Sequence, residues 1–461
     1  MNLTPLDGLA LFLYLAILLW LGFRRSHRSE KSDTDYILAG RRLSLPGFVM
    51  TLVSTWYGGI LGVGENTFRY GLQTWVIFGL PYYLFALLFA LFLAPRIRSA
   101  RLISIPDHFA KKYDNGSAVI AAVFILFIAS PAPYILSIGV LVQSITGMES
   151  GLALILATGT SLAYIWYGGF RSVVRTDIFQ FILMYIGFIL IIAFAWQKAG
   201  SPLAVWDALP VTHRQPTGGN SISYILVWFF IALWTFIDPG FYQRSAAARS
   251  GKTAARGIII AIGFWFLFDM LTLFAGFYAR VILPDATPLF AFPALGQAIL
   301  PPFIYGLFLA GLLATIMSTI DSLGLLSAVT FGRDILWRIR KAVPKLSNLS
   351  SVDMTRQGLA VMALLSVILA ASIPSVVGLW YTIGSLIIPG LLLPFIMTFT
   401  SCSVSPFQAR LLLILPVVSA SAWWLLSIWI GPPFAALEPF YCGLAVSVAT
   451  FIMIRYSSSG N

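Results

Sequence analysis

The stretch Tyr57-Gly-Gly-Ile-Leu-Gly-Val-Gly64 sets four glycines in eight residues inside a run otherwise apolar enough to cross a bilayer. Each glycine lowers helix propensity by roughly 1 kcal/mol relative to alanine. An unwound segment at membrane depth is one reading, and close helix packing over small residues is the other. A second interruption, Phe236-Ile-Asp-Pro-Gly-Phe-Tyr-Gln243, lets Pro239 remove a backbone donor and Gly240 release the chain.

Working outward from these breaks, the composition fixes the class. The 461 residues are 59% hydrophobic and only 10% charged, with mean hydropathy +0.89, against roughly 25% charged residues in a soluble domain. An all-α polytopic membrane protein is expected. Apolar segments of about 20 residues fall at 6–24, 45–70, 75–96, 117–146, 150–169, 173–197, 222–243, 255–282, 299–333, 357–373, 376–401, 411–430 and 434–455, about thirteen transmembrane helices. The two breaks lie in the second and seventh of these, five apart. Interrupted helices in corresponding positions point to inverted five-helix repeats with a site at the bilayer midplane.

The net charge of +12 invites a nucleic-acid or anionic-surface reading, and the placement of the charge decides against it. Alternate loops, beginning with the one after the first span, hold 25 of the 29 Lys and Arg residues. The opposite side holds only Arg69, Lys198, Arg214 and Arg280. The bias of basic residues toward the cytoplasm then places the N-terminus outside and the C-terminus in the cytoplasm of a plasma membrane, such as a bacterial inner membrane. The first apolar run, Leu9 to Phe23, has no basic residue before it and no small-residue cleavage site after it, so it reads as a retained span. Cys402 and Cys442 form no disulfide or metal framework, and His27, His108 and His213 are scattered in loops. Zinc chemistry and a histidine-based hydrolase are disfavoured, no catalytic residues are assigned, and the chain is not expected to be an enzyme.

Another polar feature is Ala310-Gly-Leu-Leu-Ala-Thr-Ile-Met-Ser-Thr-Ile-Asp-Ser322 in the ninth span. On a helix, Thr315, Ser318, Thr319 and Ser322 share one stripe. Buried oxygens in hydrocarbon need partners, which a neighbouring helix, water or a cation can supply. Serine and threonine also satisfy themselves by bonding back to the preceding turn. Intramembrane charge is otherwise sparse. Glu65 stands four residues before Arg69, consistent with an ion pair near the outer mouth or with solute contact. Asp269 has no local partner and is left without a role, while Asp177 pairs with Arg175 or Arg171 or joins Asp321 at a cation or proton site.

The chain resembles the sodium:solute symporter family over the region from Asp35 to about Asp334. The resemblance rests on Asp35-Tyr-Ile-Leu-Ala-Gly-Arg-Arg-Leu43, Gly168-Gly-Phe-Arg-Ser-Val-Val-Arg-Thr-Asp-Ile-Phe-Gln180, Asp238-Pro-Gly-Phe-Tyr-Gln-Arg244 and Met317-Ser-Thr-Ile-Asp-Ser322, in this order. It implies a leucine-transporter-like core: an extra helix and loop at 1–34, inverted repeats at 35–221 and 222–409, and two appended helices at 410–461. It also implies a sodium ion as coupling ion, held by the carbonyls of Tyr57, Ile60 and Thr315 and the hydroxyls of Ser318 and Thr319. A hard cation takes such oxygen ligands. A second cation or coupling site would use Asp177, Ser318, Asp321 and Ser322, although Asp321 stands where some two-sodium members carry serine.

In that fold the solute cavity makes Trp56, Gly62, Gly64, Glu65, Tyr134, Trp228 and Trp234 eligible contacts. No arginine lies within the fourth span, which disfavours the carboxylate clamp of acidic-sugar members, and the seventh span lacks the proline-carrier pattern. Sugar, amino acid, vitamin and small organic acid stay open. The resulting expectation is sodium-coupled symport of a small organic solute by alternating access. The alternative is a proton-coupled symporter using Asp177, Asp321 or Glu65. Partners are the solute and the lipid bilayer, with no nucleic acid and no obligatory protein partner.

Overall fold

A computed structural model describes residues 3–24, 32–340, 349–373, 375–402 and 404–459. The basic loop after the first span, with His27, and most of the segment joining the ninth and tenth spans lie outside the described residues. Among those described there is no strand. Eleven helices are long and apolar enough to cross a membrane, and counting the pair Leu45–Tyr57 and Ile60–Tyr70 as one bent span makes twelve.

The expected span at 150–169 is present and runs directly into the next helix. It is the first part of a 50-residue helical element, Ser150–Ala199, whose backbone leaves helical geometry only at Gly169 (φ 53°, ψ −153°). Two helices therefore meet at one residue with no loop between them. Only glycine suits this position: φ is positive, and a Cβ there would lie 2.6 Å from the carbonyl oxygen of Tyr36.

Both breaks read from the sequence are present. Leu45–Tyr57 and Ile60–Tyr70 meet at 57° across Gly58 and Gly59. The seventh span runs as Ile222–Ile231, Trp234–Ile237 and Pro239–Ala247, with Asp238 extended (ψ 119°) and its carboxylate accepting the Phe241 N–H at 2.8 Å. That is the N-cap a helix beginning at proline needs. The two broken spans are tied at one end, where the Leu43 N–H donates to the Ala247 carbonyl (3.0 Å) and the Arg249 N–H donates to the Leu43 carbonyl (3.2 Å).

Burial separates the centre from the lipid-facing rim. The apolar window of Ile304–Trp337 is wholly buried, whereas those of Pro5–Phe23 and Pro406–Trp429 are 28% and 22% buried. The ninth span is thus the bundle's central helix, and rim residues such as Phe12, Trp20, Leu91 and Phe92 present exposed apolar surface to the acyl chains. Asp7 on the first helix is the exception on the rim. Its carboxylate accepts the N–H groups of Phe303 (3.0 Å) and Gly306 (2.9 Å), satisfying orphan donors at the start of the central helix.

At the other end of that helix, Arg333 donates to both oxygens of Asp107 at 3.1 Å and pairs with Asp334 at 2.6 Å, and Arg338 also donates to Asp107. Burial pushes the Asp107 carboxyl up, and the two guanidinium groups overcome it, holding the group below its usual range. The neighbouring His108 is buried in a loop helix, with Nε2 3.0 Å from the Tyr242 hydroxyl and its ring against Phe399. Burial pushes its pKa down to about 4. The unfolded chain takes up that proton near pH 6.5, so stability is full above this value and is lost as pH falls toward 4. We expect a loss of roughly 2 kcal/mol at pH 5 relative to pH 7.5. Thermal unfolding of wild type and His108→Gln at both pH values measures it, and the variant should show the smaller acid loss.

Candidate ion and solute site

The bend in the second span brings its backbone against the central helix. Gly58 packs so closely on Thr319 that a Cβ would lie 2.4 Å from the Thr319 Cβ and 2.6 Å from the Tyr134 ring. The Thr319 hydroxyl donates to the Thr55 carbonyl at 2.8 Å, with its own Thr315 carbonyl 3.3 Å away. The Thr55 carbonyl, the Thr319 hydroxyl and the Thr315 carbonyl therefore lie together where the bend meets the ninth span. Thr315, Ser318, Thr319 and Ser322 are all buried there. The Thr315 hydroxyl bonds back to the Gly311 carbonyl (2.7 Å), and the Thr315 carbonyl is the oxygen next to the Thr319 hydroxyl. Tyr57 and Ile60 are buried beside it, and the Tyr57 ring turns to the eighth span, its hydroxyl 3.0 Å from the Trp265 carbonyl.

A second cluster lies one turn further along the central helix. Asp177 accepts hydrogen bonds from Ser318 (2.6 Å) and Thr51. Facing them is a cation that belongs to the chain itself. The Arg244 guanidinium donates to Ser322 (2.5 Å), Thr55 (2.9 Å) and Thr51 (3.2 Å) and stands 3.8 Å from the Asp177 carboxylate. Its carbon lies 5.2 Å from the centroid of the Phe170 ring. Arg244 and Asp177 are both 0% exposed.

This corrects two sequence readings. Asp177 does not pair with Arg171, which binds Asp35 at 3.2 Å, nor with Arg175; its partner is Arg244. Arg244, one of the 25 basic residues that the alternate loops hold by sequence, instead lies in Pro239–Ala247, which is buried throughout. Thr51 and Thr55, one helical turn apart on the second span, join the cluster without a place in the sequence reading. Their spacing matches that of Ser318 and Ser322 on the helix they face, a signal present in the sequence. Asp321 is fully buried on the same central helix.

Beside these clusters a cavity opens between the second, third, fourth, seventh, eighth and eleventh spans. Of the eligible contacts, Trp56, Tyr134 and Trp234 lie on its wall, together with Tyr57, Asp238, Arg244 and Asp269. Asp269 accepts hydrogen bonds from Tyr57 (2.9 Å) and Tyr83, which gives it the partners the sequence could not supply. Four expected contacts lie off this wall. Gly62 faces Val376, Gly64 faces Phe292, Trp228 is buried against Phe78 and Tyr381, and Glu65 pairs with Arg69 at 3.1 Å.

Residues 36–399 match the model of the sodium:solute symporter family. The chain is 25% identical over 420 residues to the high-affinity choline transporter 1 of Drosophila melanogaster, covering 84% of this chain and 65% of that protein's length. It is 28% identical over 335 residues to the high-affinity proline transporter of Bacillus subtilis strain 168, covering 67% of this chain and 70% of the other. Among solved structures, a sodium-coupled sialic acid symporter in a substrate-bound outward-open state superposes with a TM-score of 0.80 at 18% identity, covering 100% of this chain and 99% of that one. At that identity the likeness concerns fold alone, and the fold is the leucine-transporter-like one expected from the sequence.

Proposed function

The chain belongs to the sodium:solute symporter family, and from that premise we propose that it carries a small organic solute into the cell with sodium by alternating access. The observation that carries this reading is the contact of Gly58 and the Thr55 carbonyl with Thr319 at the bend. Freed backbone carbonyls and hydroxyls on one face of a neighbouring helix are the donor set a hard cation selects. In this proposal sodium takes the carbonyls of Tyr57, Ile60 and Thr315 with the hydroxyls of Ser318 and Thr319, and the Thr55 carbonyl adjoins them. Residues 35–221 and 222–409 are the two inverted repeats. Sodium holds the bend against the central helix and favours the state open to the outside, because a ligand shifts an equilibrium toward the state that binds it better.

The Arg244 guanidinium supports a stoichiometry of one. It already meets the charge of Asp177 among the oxygens of Thr51, Ser318 and Ser322, where a second cation was expected. The test is uptake into proteoliposomes, beginning with choline and proline, under an inward sodium gradient and under a potassium gradient of equal size. Accumulation should require sodium with a Hill coefficient near one, and Ser318→Ala should raise the sodium half-saturation much more than it alters the amount of protein in the membrane. Uptake driven by a pH gradient and indifferent to sodium would replace this account with proton coupling.

A further inference from the structure

The wall of the cavity carries more information about the solute than its position does. Trp56, Trp75, Trp234, Trp380 and Tyr134 line it, and the only acidic side chains among the described lining residues are Asp238 and Asp269. Both Asp269 oxygens face phenolic hydroxyls, Tyr57 on one and Tyr83 on the other, and the Tyr57 hydroxyl also reaches the Trp265 carbonyl at 3.0 Å. The Trp75 ring N–H donates to the Tyr83 oxygen (3.3 Å), leaving the Tyr83 proton for one Asp269 oxygen while the Tyr57 hydroxyl is 2.9 Å from the other. The one basic lining residue, Arg244, is already matched by Asp177. Among the described residues the cavity wall therefore carries two carboxylates, Asp238 capping the helix at Phe241 and Asp269 held by Tyr57 and Tyr83, several aromatic rings, and one guanidinium that Asp177 already neutralises.

We infer that the solute carries a positive charge: an organic ammonium whose head packs among the tryptophan faces and is drawn to Asp269, with Asp238 adding to the field. Ring faces attract cations, most strongly when both are removed from water. An anion would meet two carboxylates, and its one counter-charge, Arg244, is already matched by Asp177. The carboxylate of a zwitterion would find only a guanidinium that four oxygens already hold. This inference rests on the transport reading above and narrows its solute.

The test compares three probes of nearly equal shape on the purified full-length protein in sodium: choline, its neutral isostere 3,3-dimethylbutan-1-ol, and the anion 3,3-dimethylbutanoate. Binding is read by tryptophan fluorescence, since four indoles line the site. Choline should bind at least about tenfold more tightly than the alcohol, and the anion more weakly than either. Asp269→Asn should remove most of the advantage of choline over the alcohol. Equal binding of choline and the alcohol, tighter binding of the anion, or no binding of choline overturns the cationic-solute inference even if Asp269→Asn fails to fold. Sodium-specific stabilisation measured on the same preparation keeps the two readings distinct. If it is present, the symport proposal stands whatever the probes show; if it is absent while choline binds, symport fails and the cation site remains.

Discussion

Replacing Arg244 with methionine should be among the most damaging single changes in the chain. The guanidinium and the Asp177 carboxylate are both fully buried, 3.8 Å apart; the Thr51 hydroxyl bonds to both, those of Thr55 and Ser322 accept from the guanidinium, and that of Ser318 donates to the carboxylate. Removing one partner of a buried pair leaves an uncompensated charge and typically costs about 3–5 kcal/mol. Arg244→Met alone and Asp177→Asn alone should each lower thermal stability sharply and reduce uptake to near background. The double variant should recover a large part of the stability, because two neutral groups replace two charges. Additive losses in the double variant would show that the pair is not the unit described here. Arg244→Met also leaves a carboxylate and three hydroxyls facing a space without a cation. Sodium, compared with potassium at equal ionic strength, should therefore stabilise this variant more than it stabilises wild type.

Gly58→Val should abolish sodium coupling by a different route. A Cβ at this position meets the Thr319 Cβ at 2.4 Å and Oγ1 at 2.5 Å, closer than real carbon contacts allow, so the second span must move off the central helix. Overpacking of this kind costs typically 1–3 kcal/mol. The damage to the oxygens at the bend should be larger than to the fold, with the sodium half-saturation rising at least about tenfold while the protein still reaches the membrane. Gly263→Ala is the control: it lies on an exposed face of the eighth span with nothing within 4 Å of the added carbon, and it should behave as wild type. Equal behaviour of the two variants would contradict the close approach at Gly58.

Much of the architecture is legible in the residues themselves. The glycine run from Tyr57 to Gly64 and the Asp238-Pro-Gly triplet are local signals, because helix interruption follows from backbone chemistry in the few residues that carry it. The apolar spans are legible for the same reason, and the boundary between 150–169 and 173–197 falls at Gly169, where a single positive-φ residue joins the two helices without a polar loop. The stripe at 315, 318, 319 and 322 is legible as a face, since helical periodicity is local. What met that face was not. Arg244 follows Gln243 in a polar run and resembles the other charges at that end of the bundle; its burial depends on Asp177 from a helix 67 positions earlier. The partners of Asp269 come from Tyr57 and Tyr83, 212 and 186 positions away, and no window of sequence joins them.

The central claim is that sodium binds where the bend of the second span meets Thr319, and thermal unfolding of the purified protein tests it most directly. A ligand that binds the folded state raises its stability by mass action, without the solute being known. The midpoint of unfolding should be higher in sodium than in potassium at the same ionic strength, and Thr319→Val, which keeps the shape and deletes the hydroxyl, should remove that difference. Identical midpoints in the two salts for wild type, or a sodium-specific rise that survives in Thr319→Val, would contradict the account.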